Sequence, residues 1–97
     1  MPHYVLLVNF TDEGLRRVTD MPSRAQPIQQ TLLQLGIRVH SQFFTLGQYD
    51  LVMVVEAPNQ EAVLKLSLSQ ALQGYARAET LPAFTFSEFN RVINELQ

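Results

Sequence analysis

Two stretches of the chain, Tyr4-Val5-Leu6-Leu7-Val8 and Leu51-Val52-Met53-Val54-Val55, are apolar at every position. Side chains alternate between the two faces of a strand, so a strand without polar alternation needs cover on both faces. Both runs therefore belong at the centre of a sheet. The 97 residues must find material for two sheet faces, although a domain of this size buries a limited share of its surface.

The stretch Leu46-Gly47-Gln48-Tyr49-Asp50 links the second run to the segment before it. It joins two strand-like segments, Ile37–Leu46 and Tyr49–Ala57, and reads as a two-residue type II′ turn with Gly47 in the first central position. Glycine takes the required φ > 0 without a Cβ clash. That turn fixes the register of a hairpin.

The remaining elements follow in order. His3–Phe10 is the first strand. Thr11-Asp12 offers an N-cap for a short helical turn through Val18. Asp20-Met21-Pro22 restarts a helix, with Pro in its first turn, and Pro27 predicts a kink or a fresh start because its ring opposes the carbonyl of Ser23. Ile28, Leu32 and Leu35 keep helical spacing up to Gly36, a suitable C′ residue. Pro58-Asn59 caps a helix over Gln60–Gln73, apolar at Val63, Leu64, Leu66, Leu68, Ala71 and Leu72, and Gly74 closes it. Tyr75–Phe84 alternates as a fourth strand. Thr85-Phe86-Ser87-Glu88 is a capping box, and the helix it opens carries Phe89, Val92, Ile93 and Leu96 on one stripe.

The order β-α-β-β-α-β plus a C-terminal helix is the ferredoxin-like arrangement of an α+β protein. Right-handed crossovers and one hairpin give an antiparallel sheet of order 4-1-3-2, which puts the two wholly apolar strands in the centre. Two helices cover one face. The other is left as an exposed apolar surface that monomers seldom tolerate. A second copy of the sheet is the economical cover, so the chain is expected to form a homodimer or larger homo-oligomer, with the C-terminal helix as the alternative cover.

Composition limits the function classes. Charged residues make up 16% of the chain, the net charge is −2, and Lys65 is the only lysine. No basic patch is available for nucleic acid, nor for the phosphates that a trimeric nucleotide-sensing relative would bind. Cysteine is absent, which removes disulfides, thiolate nucleophiles and thiolate metal sites. The N-terminus lacks the features of a signal peptide and no apolar run reaches membrane-spanning length, so a cytoplasmic protein without membrane association is expected. One domain spans residues 1–97. No phosphate loop, nucleophile elbow or catalytic motif calls for a cofactor.

Three blocks carry a resemblance: Tyr4-Val5-Leu6-Leu7-Val8-Asn9-Phe10-Thr11, then Gly47-Gln48-Tyr49-Asp50-Leu51-Val52 with Glu56-Ala57-Pro58, then Ala78-Glu79-Thr80-Leu81-Pro82-Ala83-Phe84-Thr85. In this order they resemble the GYD-domain family over nearly the whole chain. Gln48 interrupts a literal Gly-Tyr-Asp, and Pro27 departs from a regular helix. The resemblance implies a dimeric α/β barrel related to small monooxygenases and amino-acid-sensing regulatory domains. It implies no particular activity.

The candidate ligand-binding residues are Asn9, Tyr49, Asp50, Arg77 and Glu79, which the topology gathers at one end of the sheet beside apolar walls. Against this, Asp50 can simply cap backbone, and Arg77 with Glu79 can be a solvated edge pair. His40 is the one candidate base. In an unbroken register it shares a face with Tyr49, Leu51 and Met53, where a neutral imidazole can take a proton; a lone strand histidine more often serves packing. Nothing has metal-ligand spacing, and His3 and His40 are remote in sequence, so no metal site is expected. Two functions remain. One is a homo-oligomeric module that binds a small molecule or a protein in a regulatory role. The other is a small cofactor-independent enzyme, of monooxygenase or isomerase type, working in the space between sheet and helices.

Overall fold

The computed structural model describes residues 1–97. Strands β1 (His3–Phe10), β2 (Arg38–Phe44), β3 (Leu51–Glu56) and β4 (Ala76–Ala83) form one antiparallel sheet in the order β2-β3-β1-β4. Helices α1 (Asp12–Arg16), α2 (Met21–Leu35), α3 (Gln60–Leu72) and α4 (Phe86–Glu95) complete the α+β, ferredoxin-like chain, with a short 3-10 turn at Val18–Asp20. The sheet order matches the one read from the sequence. No helix is long and apolar enough to cross a membrane.

Helices α1 and α3 start where the sequence supplies an acceptor. The Thr11 side chain accepts from the backbone N–H of Gly14, and that of Asn59 from Ala62. Gly36 ends α2 at φ 71°, in the left-handed region that glycine enters without strain. Helix α2 continues through Pro27, so no fresh helix starts there. Pro27 and Ser23 are both exposed, so the Ser23 carbonyl that loses its helical donor faces water.

One face of the sheet carries the core. Tyr4, Leu6, Val8, Leu51 and Val55 are buried against Ala62, Val63 and Leu66 of α3. Helix α2 supplies only the partly buried Leu32 and Leu35, and no residue of it is fully buried. The opposite face follows from the pairing register: Val5 opposite Val54, Leu7 opposite Val52, Phe43 opposite Val52, and Leu81 opposite Val5. Nothing in the chain covers it. Phe43 is 65% exposed there. Helix α4 leaves the sheet instead of lying on it, with Phe86 at 78%, Phe89 at 55% and Leu96 at 77% exposure. The resulting shape is extended. Its radius of gyration is 15.0 Å, against about 13 Å for a compact chain of this length.

The β2–β3 connection is wider than the two-residue turn read from the sequence. The inner pair Leu46–Tyr49 does not form, and a four-residue loop, Leu46-Gly47-Gln48-Tyr49, is closed by Thr45 N–H donating to the Asp50 carbonyl at 2.9 Å. Asp50 is the reason. Its N–H donates to the Val8 carbonyl (2.9 Å), and its carboxylate accepts from the Phe10 N–H (2.9 Å). Asp50 thereby continues the β1 ladder past the end of β3, and the chain before it must open to let it do so. The Thr45 hydroxyl donates to the Tyr49 carbonyl (2.6 Å) and holds the widened loop. Gly47 still needs its glycine, at φ 105°.

Replacing Asp50 tests this account of the loop. Asp50→Ala strands the Phe10 N–H and should lower folding stability by about 1–3 kcal/mol in urea denaturation; Asp50→Asn keeps an acceptor and should lose less. A second test concerns α4. The Thr85 N–H donates to the Glu88 carboxylate at 2.8 Å while the Glu88 N–H donates to Thr85 Oγ1 at 3.1 Å. The backbone N–H of Thr85, followed by its hydroxyl, holds the Glu88 carboxyl below its ordinary 4.5. A depressed carboxyl stabilises the fold above its unfolded pKa, and that contribution is lost as pH falls through the folded value. The protection factor of the Thr85 amide, its exchange rate corrected for intrinsic pH dependence, should therefore fall as pH drops below 4.5 in the native chain, and Glu88→Gln should remove that loss of protection.

Candidate functional site

Polar groups collect at the two ends of the open sheet face. At the loop end, Tyr49 Oη donates to Glu79 Oε2 at 2.9 Å. That carboxylate, and to a smaller extent burial, raises the Tyr49 phenol above its ordinary 10.0, so Tyr49 stays protonated and cannot serve as a base near neutrality. Asn9 pairs with Arg77 in the β1–β4 ladder and both are exposed. Asp50 is engaged with β1 backbone. The five residues thus lie at one end of the sheet, but they form separate pairs instead of one ligand cradle.

A large groove does exist, on the other side of the sheet. Helix α2 stands off from the sheet and leaves about 1050 Å³ between itself, α3 and the core strands. Its walls include Phe10, Ile28, Leu32, Phe44 and Met53, with Arg38 and Arg77 as the charged residues. Of the five candidates only Arg77 borders it; Asn9, Tyr49, Asp50 and Glu79 do not. No carboxylate, histidine or tyrosine lines it, so its chemistry is that of an apolar receptacle.

The opposite end holds a cluster that the spacing of the sequence hides. Glu56 ends β3 opposite His3 of β1 and Arg38 of β2. The β2 register slips by one residue between Val39 and Ser41, which makes His40 the extra residue of a bulge. A bulge re-aims its side chain. His40 consequently does not share a face with Leu51 and Met53, as an unbroken register would have it, but turns to Glu56 on the open face. His40 Nε2 lies 3.1 Å from Glu56 Oε2, and His3 Nε2 lies 3.4 Å from Glu56 Oε1. The two imidazole centroids are 5.4 Å apart. His40, followed by the weaker pull of His3 and the N-terminus, lowers the Glu56 carboxyl below 4.5 against the opposing effect of burial. Arg38 reaches Glu56 only at 4.0 Å and its side chain is 76% exposed. The sequence reading missed this trio because its members sit on three strands; a strand order combined with the β1–β3 register would have paired His3 with Glu56, but no sequence signal announces the bulge.

The comparisons with known proteins fit this architecture. The GYD domain model matches residues 4–93. A protein of Thermus thermophilus named glutamine synthetase and cystathionine beta-lyase binding protein is 34% identical over 89 residues, covering 91% of this chain and 94% of the relative. The crystal structure of TTHA0845 from the same organism matches with a TM-score of 0.52 at 24% identity, over 88% of this chain and 95% of that one, a likeness of fold. The chain belongs to the GYD-domain family.

Proposed function

We propose that the chain is a non-catalytic binding module that assembles with a second copy through its open sheet face and docks on other proteins, in a regulatory role. The observation that carries the reading is the uncovered apolar face of β1 and β3, with Val5, Leu7, Val52 and Val54 at its centre and Phe43 and Leu81 beside them. The stripe of α4 adds a second unpartnered apolar surface, at Phe89, Val92, Ile93 and Leu96. Such surfaces on a small chain mark association sites. The name of the Thermus relative, a binding protein for two enzymes, supports protein partners for this chain as well.

A small-molecule effector is a second reading, supported by the groove under α2. It fits regulation better than catalysis, because no carboxylate, histidine or tyrosine lines the groove to act as a general acid or base.

Sedimentation velocity at micromolar concentration tests the assembly: a dimer or larger oligomer is expected, and a monomer would overturn it. Val52→Glu places an unpaired charge in the middle of the face and should dissociate the assembly, since a buried unpaired charge costs several kcal/mol. Co-elution with purified glutamine synthetase and cystathionine beta-lyase from the same cell tests the docking. Binding to either enzyme supports it, and binding to neither confines the reading to self-association.

A further inference from the structure

We propose that His3, His40 and Glu56 form a binding site for a late first-row divalent cation, of which Zn²⁺ is the representative. Their donor atoms lie within 4.8 Å of one another. The shortest separation, 3.1 Å between His40 Nε2 and Glu56 Oε2, already approximates one edge of a tetrahedron around Zn²⁺, which is about 3.3 Å for metal–ligand bonds near 2.0–2.1 Å, while His3 Nε2 lies 3.4 Å from the other carboxylate oxygen. Two imidazole nitrogens and one carboxylate favour Zn²⁺, Co²⁺ or Ni²⁺ over Ca²⁺ and Mg²⁺, whose sites are built from oxygen. Three protein ligands leave a fourth position. The His40 side chain is 43% exposed, so water can occupy that position.

Each ligand has a structural reason to be where it is. Strand pairing sets His3 directly opposite Glu56, and the bulge delivers His40 from the neighbouring strand. The carboxylate presents one oxygen to each imidazole, Oε1 to His3 and Oε2 to His40. A cation would take the place of the shared protons and draw the three groups together by small side-chain rotations. Arg38 and the N-terminal ammonium are neighbouring cations that oppose binding; the exposed Arg38 side chain can swing into solvent. The outer shell is incomplete, because Nδ1 of His3 is buried without a hydrogen-bond partner. Outer-shell partners are worth roughly 10–100-fold in affinity, so binding should be weaker than at a fully supported zinc site.

The test uses the full chain, freed of any affinity tag and treated with EDTA. Isothermal titration with Zn²⁺ at pH 7.5 should give one saturable site per chain, and Co²⁺ should produce visible absorption of a low-coordinate site. Mg²⁺ should give neither. His40→Ala and Glu56→Gln should each weaken Zn²⁺ binding roughly tenfold or more, with the metal-free far-UV circular dichroism unchanged. No saturable binding by the native chain, or equal binding by both variants, would overturn the site and leave the trio as ion pairs. Should either variant fail to fold, imidazole ¹⁵N shifts of the native chain decide instead. Movement of Nε2 in both His3 and His40 on adding Zn²⁺ is expected, and unmoved resonances would overturn the proposal.

Discussion

Across the β1–β3 ladder Leu6 faces Met53 and Tyr4 faces Val55 on one side, while Val5 faces Val54 and Leu7 faces Val52 on the other. This central pair is apolar in both directions, and the rest of the chain arranges itself to that demand. Helix α3 meets half of it, through Ala62, Val63 and Leu66. Each of those residues removes apolar area from water at roughly 25 cal/mol per Å². The chain has no second layer for the other half. Helix α2 stands off over the groove, and α4 projects past the end of β4 with its apolar stripe outward. The fold is therefore finished on one face and open on the other, and its function has to be sought on what remains open.

The topology was legible because it rests on strong, local signals. Two unbroken apolar runs name the central strands, alternation in the others names the edges, and caps at Thr11, Asn59 and Thr85 mark helix starts. Even the hairpin register, Phe44 opposite Leu51 through Ser41 opposite Val54, is the one that a turn at Gly47 demands. The innermost turn was not legible, because Asp50 bonds to a strand remote in sequence. The continuity of α2 through Pro27 depends on solvent access at Ser23, which no local pattern reports.

The candidate site was less legible than the fold. Counting strand directions correctly brings Asn9, Tyr49, Asp50, Arg77 and Glu79 to one end of the sheet. It cannot say that Tyr49 spends its hydroxyl on Glu79 or that Asp50 spends its carboxylate on Phe10. His40 failed differently. A bulge shifts everything beyond it by one residue, and side-chain parity is the first property to invert. A single extra residue in β2 moved the imidazole from the helix-covered face to the open one, and so from an apolar setting to Glu56 and His3.

An open apolar face is a hazard unless its edges resist indiscriminate pairing. Both edge strands carry such devices. In β2 the bulge at His40 interrupts the ladder and Arg38 projects a charge. In β4, Arg77 and Glu79 are exposed on the open face, and Pro82, opposite Tyr4, lacks the N–H that a further strand would need. Addition of another strand at either edge is discouraged, while the middle of the face, from Val5 to Val54, stays apolar. The polar groups at the ends of that face, Tyr49 with Glu79 at one and His3, His40 and Glu56 at the other, frame the apolar centre. A partner that buries the centre must also satisfy the ends, because an unpaired polar group shut away from water costs more than the contact around it returns. In the proposed assembly the rim of the face selects the partner and its centre supplies the binding, which is how an apolar surface stays specific.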